Sequence, residues 1–175
     1  NYSLPIKTRY ISNSAHMIRV DEEVSEYKIK QSTKDKVIKS VKRNILDCDA
    51  VILSDYNKGF FDDLTLREII DVCNKSKKLI LADPKKKNLH LYAGVDILTP
   101  NLSELQNASS KKLMSEREII RFSRNIIEKS KIAEILLTRS EKGLTVINKK
   151  NEKYFSAVAK KVYDVTGAGD TIIAI

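Results

Sequence analysis

The 175-residue chain is poor in the residues that build metal centres and disulfide frameworks. It has 2 cysteines and 2 histidines. Cys48 and Cys73 stand in no C-x-x-C or zinc-type spacing, so we expect two buried, reduced thiols and no zinc site. No apolar run is long enough to cross a bilayer, and residues 1–12 lack the charged and apolar segments of a signal peptide. These absences favour a cytoplasmic protein without a membrane partner.

Acidic residues are outnumbered by basic ones, and the formal net charge is +9. A positive charge of this size suits a nucleic acid or a phosphorylated metabolite as partner. The lysines are scattered, however, and no basic stripe interleaved with aromatic residues is present. A solvated, lysine-rich surface is the simpler interpretation. A small phosphorylated ligand stays open, and we expect no nucleic-acid partner.

Helical and strand-like segments alternate along the chain. Helical spacing of apolar residues predicts helices at residues 34–47, 62–75 and 115–130. Runs of apolar residues predict buried strands at residues 50–55, 78–83, 96–101 and 134–139, and a hairpin at 144–158. Residues 1–30 have the alternating polarity of irregular strands. Strands that alternate with helices predict an α/β fold with a mostly parallel sheet covered on both faces.

The predicted helices have defined inward faces. The first places five apolar residues on one side: Val37, Ile38, Val41, Ile45 and Leu46. The second turns four residues inward: Leu66, Ile69, Ile70 and Cys73. In the third, Ser115 and Glu118 form a capping box.

Polar residues follow each predicted parallel strand. They are Asp55 to Lys58, Asp83 and Lys85, Asn101, and Thr138 to Ser140. In open α/β sheets ligands bind outside the carboxyl ends of the strands. The sequence therefore predicts one shared site along this edge.

Two of the 5 glycines stand close together in TGAGD, residues 166–170. Small residues let the backbone approach a ligand, and the following DTIIAI predicts the first turn of a helix, whose N–H groups attract anions. A carboxylate at this place suits removal of a proton from a hydroxyl that attacks a phosphoryl group. A purely structural role for Asp170 as a helix cap is the alternative. Neither the Walker A pattern nor G-x-G-x-x-G is present.

DVTGAGD, residues 164–170, resembles the C-terminal signature of the ribokinase-like, or PfkB, family of carbohydrate kinases. Four further motifs occur in the family's order: SDYNKG (54–59), ADPK (82–85), LTPNLSE (98–104) and LLTRSEKG (136–143). With MIRVDEE (17–23), they are most similar to the heptose 7-phosphate kinase branch, the kinase half of a bifunctional enzyme that makes ADP-heptose for lipopolysaccharide. The resemblance implies a three-layer α/β/α domain, incomplete at both ends. Residues 1–30 would form part of a lid, and residues 31–175 the α/β core that ends at the catalytic motif.

The resemblance also implies roles for individual residues. Asp170 would be the catalytic base, and Gly167, Ala168 and Gly169 the turn that holds the transferred phosphate. Asn101 and Glu104 match an N-x-x-E motif that organises Mg²⁺ largely through water, although the same residues form a helix capping box. The substrate contacts implied are Thr138, Ser140, Glu141, Gly143 and Thr166 for the nucleotide, Arg19, Asp21, Lys58 and Lys85 for the sugar phosphate, and Asp164 for a monovalent cation.

The implied activity is ATP-dependent phosphoryl transfer to a sugar phosphate, here heptose 7-phosphate giving heptose 1,7-bisphosphate. The implied cofactors are ATP, Mg²⁺ and, as in many members, K⁺, and a homodimer is expected for the longer parent protein. Residues 1–175 alone are not expected to be active. Fructose 1-phosphate, ribose or a nucleoside stays open as the acceptor. A non-catalytic binding protein of the same fold is the alternative from another class.

Overall fold

The computed structural model describes residues 5–12, 15–23, 27–157 and 168–174, and the side chains of residues 15, 16 and 168–170 lie outside that description. An antiparallel pair of strands, β1 (Ile6–Ser12) and β2 (Ala15–Glu22), precedes the main body. The main sheet has six strands in chain order: β3 (Ala50–Ser54), β4 (Leu79–Asp83), β5 (Ile97–Leu98), β6 (Glu134–Thr138), β7 (Leu144–Ile147) and β8 (Glu152–Phe155). Strands β3 to β6 are parallel, and β6, β7 and β8 pair antiparallel. The mostly parallel α/β sheet and the hairpin are therefore confirmed.

Helices connect β3 to β4 and β5 to β6, as predicted, and a 3₁₀ turn (Leu89–Tyr92) connects β4 to β5. The described helices are α1 (Gln31–Asn44), α2 (Asp63–Lys75), α3 (Leu102–Ala108), α4 (Glu116–Ser130) and α5 (Ala168–Ala174). The capping box of α4 is confirmed, because Ser115 and Glu118 bond reciprocally at its start. None of the helices in the described part of the chain is long and apolar enough to cross a membrane.

The first helix departs from its predicted bounds. It begins at Gln31 and ends at Asn44, and a 3₁₀ turn (Ile45–Asp47) follows it. The tighter turn rotates the side chains that come after it. Ile45 remains buried, whereas Leu46 is 74% exposed, so its predicted inward position is wrong.

The core lies on one face of the sheet. Leu53, Ala82, Leu98 and Ile135 stand side by side across β3 to β6, and each is buried. The inward face of α2 closes over them, since Leu66, Ile69, Ile70 and Cys73 are all buried as predicted. Burial of this apolar area is the main force that fixes the strand order.

The opposite face of the sheet is covered less completely by the described residues. Ile52 of β3 and Leu79 of β4 are each 46% exposed. Helix α5 contacts β4 and buries Ile173, and Ile173 is not part of the main core cluster. Within the described residues β3 is also an edge strand.

The two-stranded sheet β1–β2 has one polar and one apolar face. Register pairs Lys7 with Asp21 and Arg9 with Arg19, which places these four residues on one face. Thr8 pairs with Val20 and Tyr10 with Ile18 on the other, where Tyr10 and Ile18 are more than half exposed. The alternating polarity predicted for residues 1–30 is confirmed for this hairpin.

Candidate active site

The carboxyl ends of β3, β4, β5 and β6 meet at one edge, as parallel pairing requires. The N–H of Asp55 donates to the carbonyl of Asp83 at 3.2 Å, which ties the ends of β3 and β4. A bridge between Asn101 and Thr138 ties the ends of β5 and β6. The sequence prediction that these polar segments share one edge is therefore confirmed.

Asn101 and Glu104 form the cap of α3 at this edge. The N–H of Glu104 donates to Oδ1 of Asn101, and the N–H of Asn101 donates to Oε2 of Glu104, both at 2.8 Å. The other carboxylate oxygen, Oε1, accepts a hydrogen bond from Nζ of Lys85 at 2.5 Å. The capping box is thus observed, and Glu104 still presents a partly accessible carboxylate, 16% exposed, to the edge of the sheet.

Lys58 connects the hairpin to the main sheet. Its ammonium group lies 2.8 Å from Oε1 of Glu23, and Lys7 lies 3.8 Å from the other oxygen of that carboxylate. The hydrogen bond from Lys58 lowers the pKa of Glu23 below its ordinary value. The polar face of the hairpin therefore contacts the loop after β3. Glu23, which makes this contact, was not among the site residues predicted from the sequence.

Arg19 and Asp21 lie on the same polar face and pair with each other, Nε to Oδ1, at 3.0 Å. Both side chains are open to solvent, with Arg19 57% exposed. The contact of Lys58 with Glu23, which directly follows β2, brings Lys58 to the same hairpin. All of the residues predicted for the sugar phosphate, except Lys85, thus lie on the hairpin or in the loop that contacts it.

The predicted nucleotide segment forms a tight turn after β6. Ser140 begins a 3₁₀ turn with φ +53°, and Gly143 ends it with φ +85°. The N–H of Gly143 donates to Ser140 and its carbonyl accepts from the N–H of Arg139, at 3.0 and 2.9 Å. Thr138 is half-buried at the strand end, whereas Ser140 and Glu141 are exposed. Thr166 lies outside the described residues.

Arg139 anchors this turn to α4. It donates through Nη1 to Glu116 at 2.9 Å and through Nη2 to the other oxygen of the same carboxylate. This bidentate pair lowers the pKa of Glu116, and the side chain of Arg139 is only 7% exposed. Sequence reasoning did not single out Arg139, because its partner is 23 residues away in another element.

Only Ala168, Gly169 and Asp170 of the motif TGAGD are among the described residues. Gly167 and Asp164 lie outside the described residues. The backbone of Ala168, Gly169 and Asp170 forms the first turn of α5, so a helix does begin here as the sequence predicts. Because α5 packs against β4, the motif's helix lies on the strand that leads to Asp83 and Lys85.

A buried polar contact lies beneath this edge. Asp55, at 2% exposure, accepts a hydrogen bond from the hydroxyl of the fully buried Tyr92, with 2.5 Å between the oxygens. Tyr92 belongs to the 3₁₀ turn Leu89–Tyr92, between β4 and β5. No sequence signal marked this tyrosine.

Two cavities lie near or opposite the edge. One, of about 410 Å³, is lined by Asn57, Gly59 and Phe61, by the start of α2 and by Lys86. Another, of about 710 Å³, lies at the amino-terminal edge beside Asp96, Lys131 and the β7–β8 turn, away from every described candidate residue. The described residues include no group of three or more His, Cys, Asp or Glu side chains that could hold a metal ion directly.

The sequence matches a known protein family over most of its length. The model of the pfkB family of carbohydrate kinases matches residues 14–174. The chain belongs to this family. Among curated proteins it is similar to the bifunctional protein HldE of Helicobacter pylori strain Shi470, with 39% identity over 169 residues, and of Aliarcobacter butzleri strain RM4018, with 36% over 168 residues. These alignments cover 97% and 96% of the chain but only 36% and 35% of the relatives, so the chain spans about a third of their length.

Solved structures of two kinases have a similar fold. The phosphofructokinase-2 of Escherichia coli in complex with potassium superposes with a TM-score of 0.73 at 13% identity, over 89% of this chain and 51% of that one. The ribokinase of Arabidopsis thaliana, complexed with ribose and ATP, gives 0.68 at 18% identity, over 90% and 50%. The ribokinase-like α/β fold that the sequence predicted is confirmed.

Proposed function

We propose that the protein containing this chain transfers the γ-phosphoryl group of ATP to a sugar phosphate, heptose 7-phosphate, and releases heptose 1,7-bisphosphate. The observation that carries this proposal is the alignment with HldE proteins over nearly the whole chain at 36–39% identity. The structure adds a sheet edge with lysines in two neighbouring loops, since Lys58 follows β3 and Lys85 follows β4. An acceptor that already carries a phosphate requires cationic partners of this kind.

In this proposal Asp170 is the general base. Its carboxylate takes the proton of the acceptor hydroxyl as that oxygen bonds to the γ-phosphorus. The bond from that phosphorus to the bridging oxygen breaks, and ADP leaves with the bonding electrons. Gly167, Ala168 and Gly169 would offer backbone N–H groups to the transferred oxygens.

Mg²⁺ would act near Asn101 and Glu104. Both oxygens of Glu104 already accept hydrogen bonds, and the carboxylate is partly accessible, which fits a water-mediated contact. Mg²⁺ commonly keeps several waters and uses one or two carboxylates with substrate phosphates. When bound, it would neutralise charge on those phosphates. We propose Thr138, Ser140, Glu141, Gly143 and Thr166 for the nucleotide, Arg19 and Asp21 for the acceptor, and Asp164 for a monovalent cation such as K⁺.

A cytoplasmic location and a homodimeric full-length protein complete the proposal. ATP and a sugar phosphate are both cytoplasmic metabolites. The homodimer follows from the family resemblance alone.

The deciding experiment is a substrate panel with the full-length protein. Heptose 7-phosphate, fructose 1-phosphate and free ribose are each offered with ATP and Mg²⁺, and ADP release is measured. The proposal predicts the highest kcat/KM for heptose 7-phosphate. Equal or better activity on free ribose would reject the heptose assignment and leave another ribokinase-like kinase. If none of the sugars gives ADP release, a binding protein of the same fold is favoured.

A further inference from the structure

The hydroxyl of Tyr92 is a buried junction between two loops. It donates to Oδ2 of Asp55 at 2.5 Å, and it accepts a hydrogen bond from the backbone N–H of Lys85 at 3.3 Å. The ring is fully buried, and Asp55 is 2% exposed. The phenol thus uses both its donor and its acceptor capacity where water cannot substitute.

On one side of this junction lies the loop after β3. Oδ1 of Asp55 accepts a hydrogen bond from the N–H of Asn57 at 2.7 Å. Asn57 has φ +52°, a left-handed conformation that few residues other than glycine adopt without cost. Lys58 comes next in the chain. The Asp55 carboxylate therefore holds the turn that presents Lys58.

On the other side lies the loop after β4. The N–H of Lys85 is fixed by Tyr92, while its ammonium group reaches Glu104. The two loops therefore meet through one hydroxyl, although Asp55 and Tyr92 are 37 residues apart in sequence. A phenylalanine would fill the same space. It would leave the buried carboxylate with one donor fewer, which is costly in a site without water.

We propose that Tyr92 is a positioning residue, whose hydroxyl fixes the loop after β3 relative to the loop after β4 and so sets the spacing of Lys58 and Lys85 for the phosphate of the acceptor. The spacing role rests on the proposed function. The coupling of the two loops does not.

The protonation of the phenol is consistent with this role. Burial and the hydrogen bond to Asp55 raise the pKa of Tyr92 well above its ordinary value. The hydroxyl therefore stays a donor throughout the physiological range.

The test compares Tyr92→Phe with a matched control, Ser130→Ala, in the full-length protein. Ser130 is the buried last residue of α4, and its hydroxyl lies 2.7 Å from Nδ1 of His90. His90 belongs to the same 3₁₀ turn as Tyr92. We expect Tyr92→Phe to raise KM for the sugar phosphate about tenfold, as for loss of one hydrogen bond to a charged group. KM for ATP should stay within about twofold in both variants, and Ser130→Ala should leave KM for the sugar phosphate unchanged.

A second measurement needs no catalysis. Hydrogen exchange of the backbone should become faster in residues 55–59 and 83–87 of Tyr92→Phe, and in neither segment of Ser130→Ala. If Tyr92→Phe does not fold, Asp55→Asn replaces it, since asparagine keeps the side-chain shape but has one acceptor oxygen for two donors, Tyr92 and the N–H of Asn57. Asp55→Asn should make exchange faster in residues 55–59 and raise KM for the sugar phosphate.

Two results would overturn the proposal. Unchanged exchange in both loops would show that the hydroxyl does not couple them. Faster exchange with an unchanged KM for the sugar phosphate, or an equal rise in KM for ATP, would show that their spacing does not matter to the acceptor. A wild-type protein that phosphorylates no sugar phosphate would instead reject the proposed function, and the exchange measurement would still decide the coupling.

Discussion

Lys85 and Glu104 face each other at the edge of the sheet, with Nζ of the lysine 2.5 Å from Oε1 of the glutamate. Lys85 was predicted to contact the sugar phosphate, and Glu104 to organise Mg²⁺. Their contact joins these two predicted roles, because an incoming phosphate would draw on the same ammonium group that now holds Glu104. The lysine side chain is 37% exposed, so a ligand can reach it.

Replacing Lys85 tests which role dominates. We expect Lys85→Ala to raise KM for the sugar phosphate about 10- to 100-fold, which corresponds to the loss of one charge-assisted contact of roughly 1.5–3 kcal/mol. KM for ATP should change much less. Lys87→Ala, an exposed lysine in the same loop, is the charge-matched control and should have little effect. If Lys85→Ala instead lowers kcat with both KM values unchanged, as Glu104→Gln would if it acts on Mg²⁺, the lysine serves the glutamate and not the acceptor.

Asp170 carries the proposed chemistry. Asp170→Asn should reduce kcat by about 10²- to 10⁴-fold, the usual contribution of a positioned general base, with much smaller changes in substrate affinity. Asp49→Asn, an exposed aspartate before β3, is the control for a change of surface charge. Steady-state assays of the full-length protein provide the measurement. Near-normal turnover of Asp170→Asn would reject the role as base and leave Asp170 a structural role only, as an acidic residue in the first turn of α5.

Periodicity was sufficient to predict the parallel sheet. The apolar runs of β3, β4 and β6 and the amphipathic α2 and α4 have strong local patterns, and their common edge follows from the topology of parallel strands. Helix α3 was recognised only by its capping box, since it spans the seven residues Leu102–Ala108 and is too short to show a period. The 3₁₀ turn at Ile45–Asp47 was missed for the same reason.

Contacts between distant residues could not be predicted. Tyr92 and Asp55, and Lys58 and Glu23, are 37 and 35 residues apart, and nothing local marks them as partners. The fold removes Tyr92 and Asp55 from water, so each requires a partner. Lys58 and Glu23 stay partly exposed and pair where the fold brings the hairpin to the loop after β3. The family resemblance supplied the candidate residues. It did not supply the salt bridges that hold Lys58 and Lys85.

Gly143 tests the structural contribution to the predicted nucleotide turn. A Cβ there would lie 2.0 Å from the carbonyl oxygen of Phe155, and the residue has φ +85°. Gly94 has a similar φ of +88°, but the nearest atoms to a Cβ there belong to side chains, with Asn74 at 3.1 Å and Arg67 and Ile70 at 3.7 Å. Gly94→Ala is therefore a matched control for the cost of the backbone conformation.

We expect Gly143→Ala to lower the free energy of unfolding by about 1–3 kcal/mol more than Gly94→Ala, the usual cost of overpacking. Denaturant titration measures both. Equal losses would show that β8 moves away from the turn without cost. A large loss of ATP affinity without loss of stability would mean that Gly143 is required for the nucleotide and not for the fold.

Asp62 provides a test of stability against pH. Its carboxylate caps α2 by accepting the N–H of Thr65 at 2.7 Å, and it pairs with Lys34 of α1, whose side chain is 8% exposed. The hydrogen bond from Lys34, more than that from Thr65, lowers the pKa of Asp62 from 3.8 to about 2. A folded-state pKa below the unfolded one means that the contribution is fully present above pH 3.8 and is lost as the pH falls towards about 2.

Asp62→Asn should remove this dependence. Asparagine keeps the capping oxygen but not the charge, so the wild type should lose more stability than the variant between about pH 5 and pH 2. Since the carboxylate is 45% exposed, we expect a difference of only about 1 kcal/mol. Asp71→Asn, which removes the exposed pair with Arg67 on the same helix, should give a smaller difference, about 0.3–0.5 kcal/mol. Denaturant titrations across this pH range measure all three proteins, and identical acid sensitivity of the wild type and Asp62→Asn would show that the Lys34 pair does not stabilise the fold.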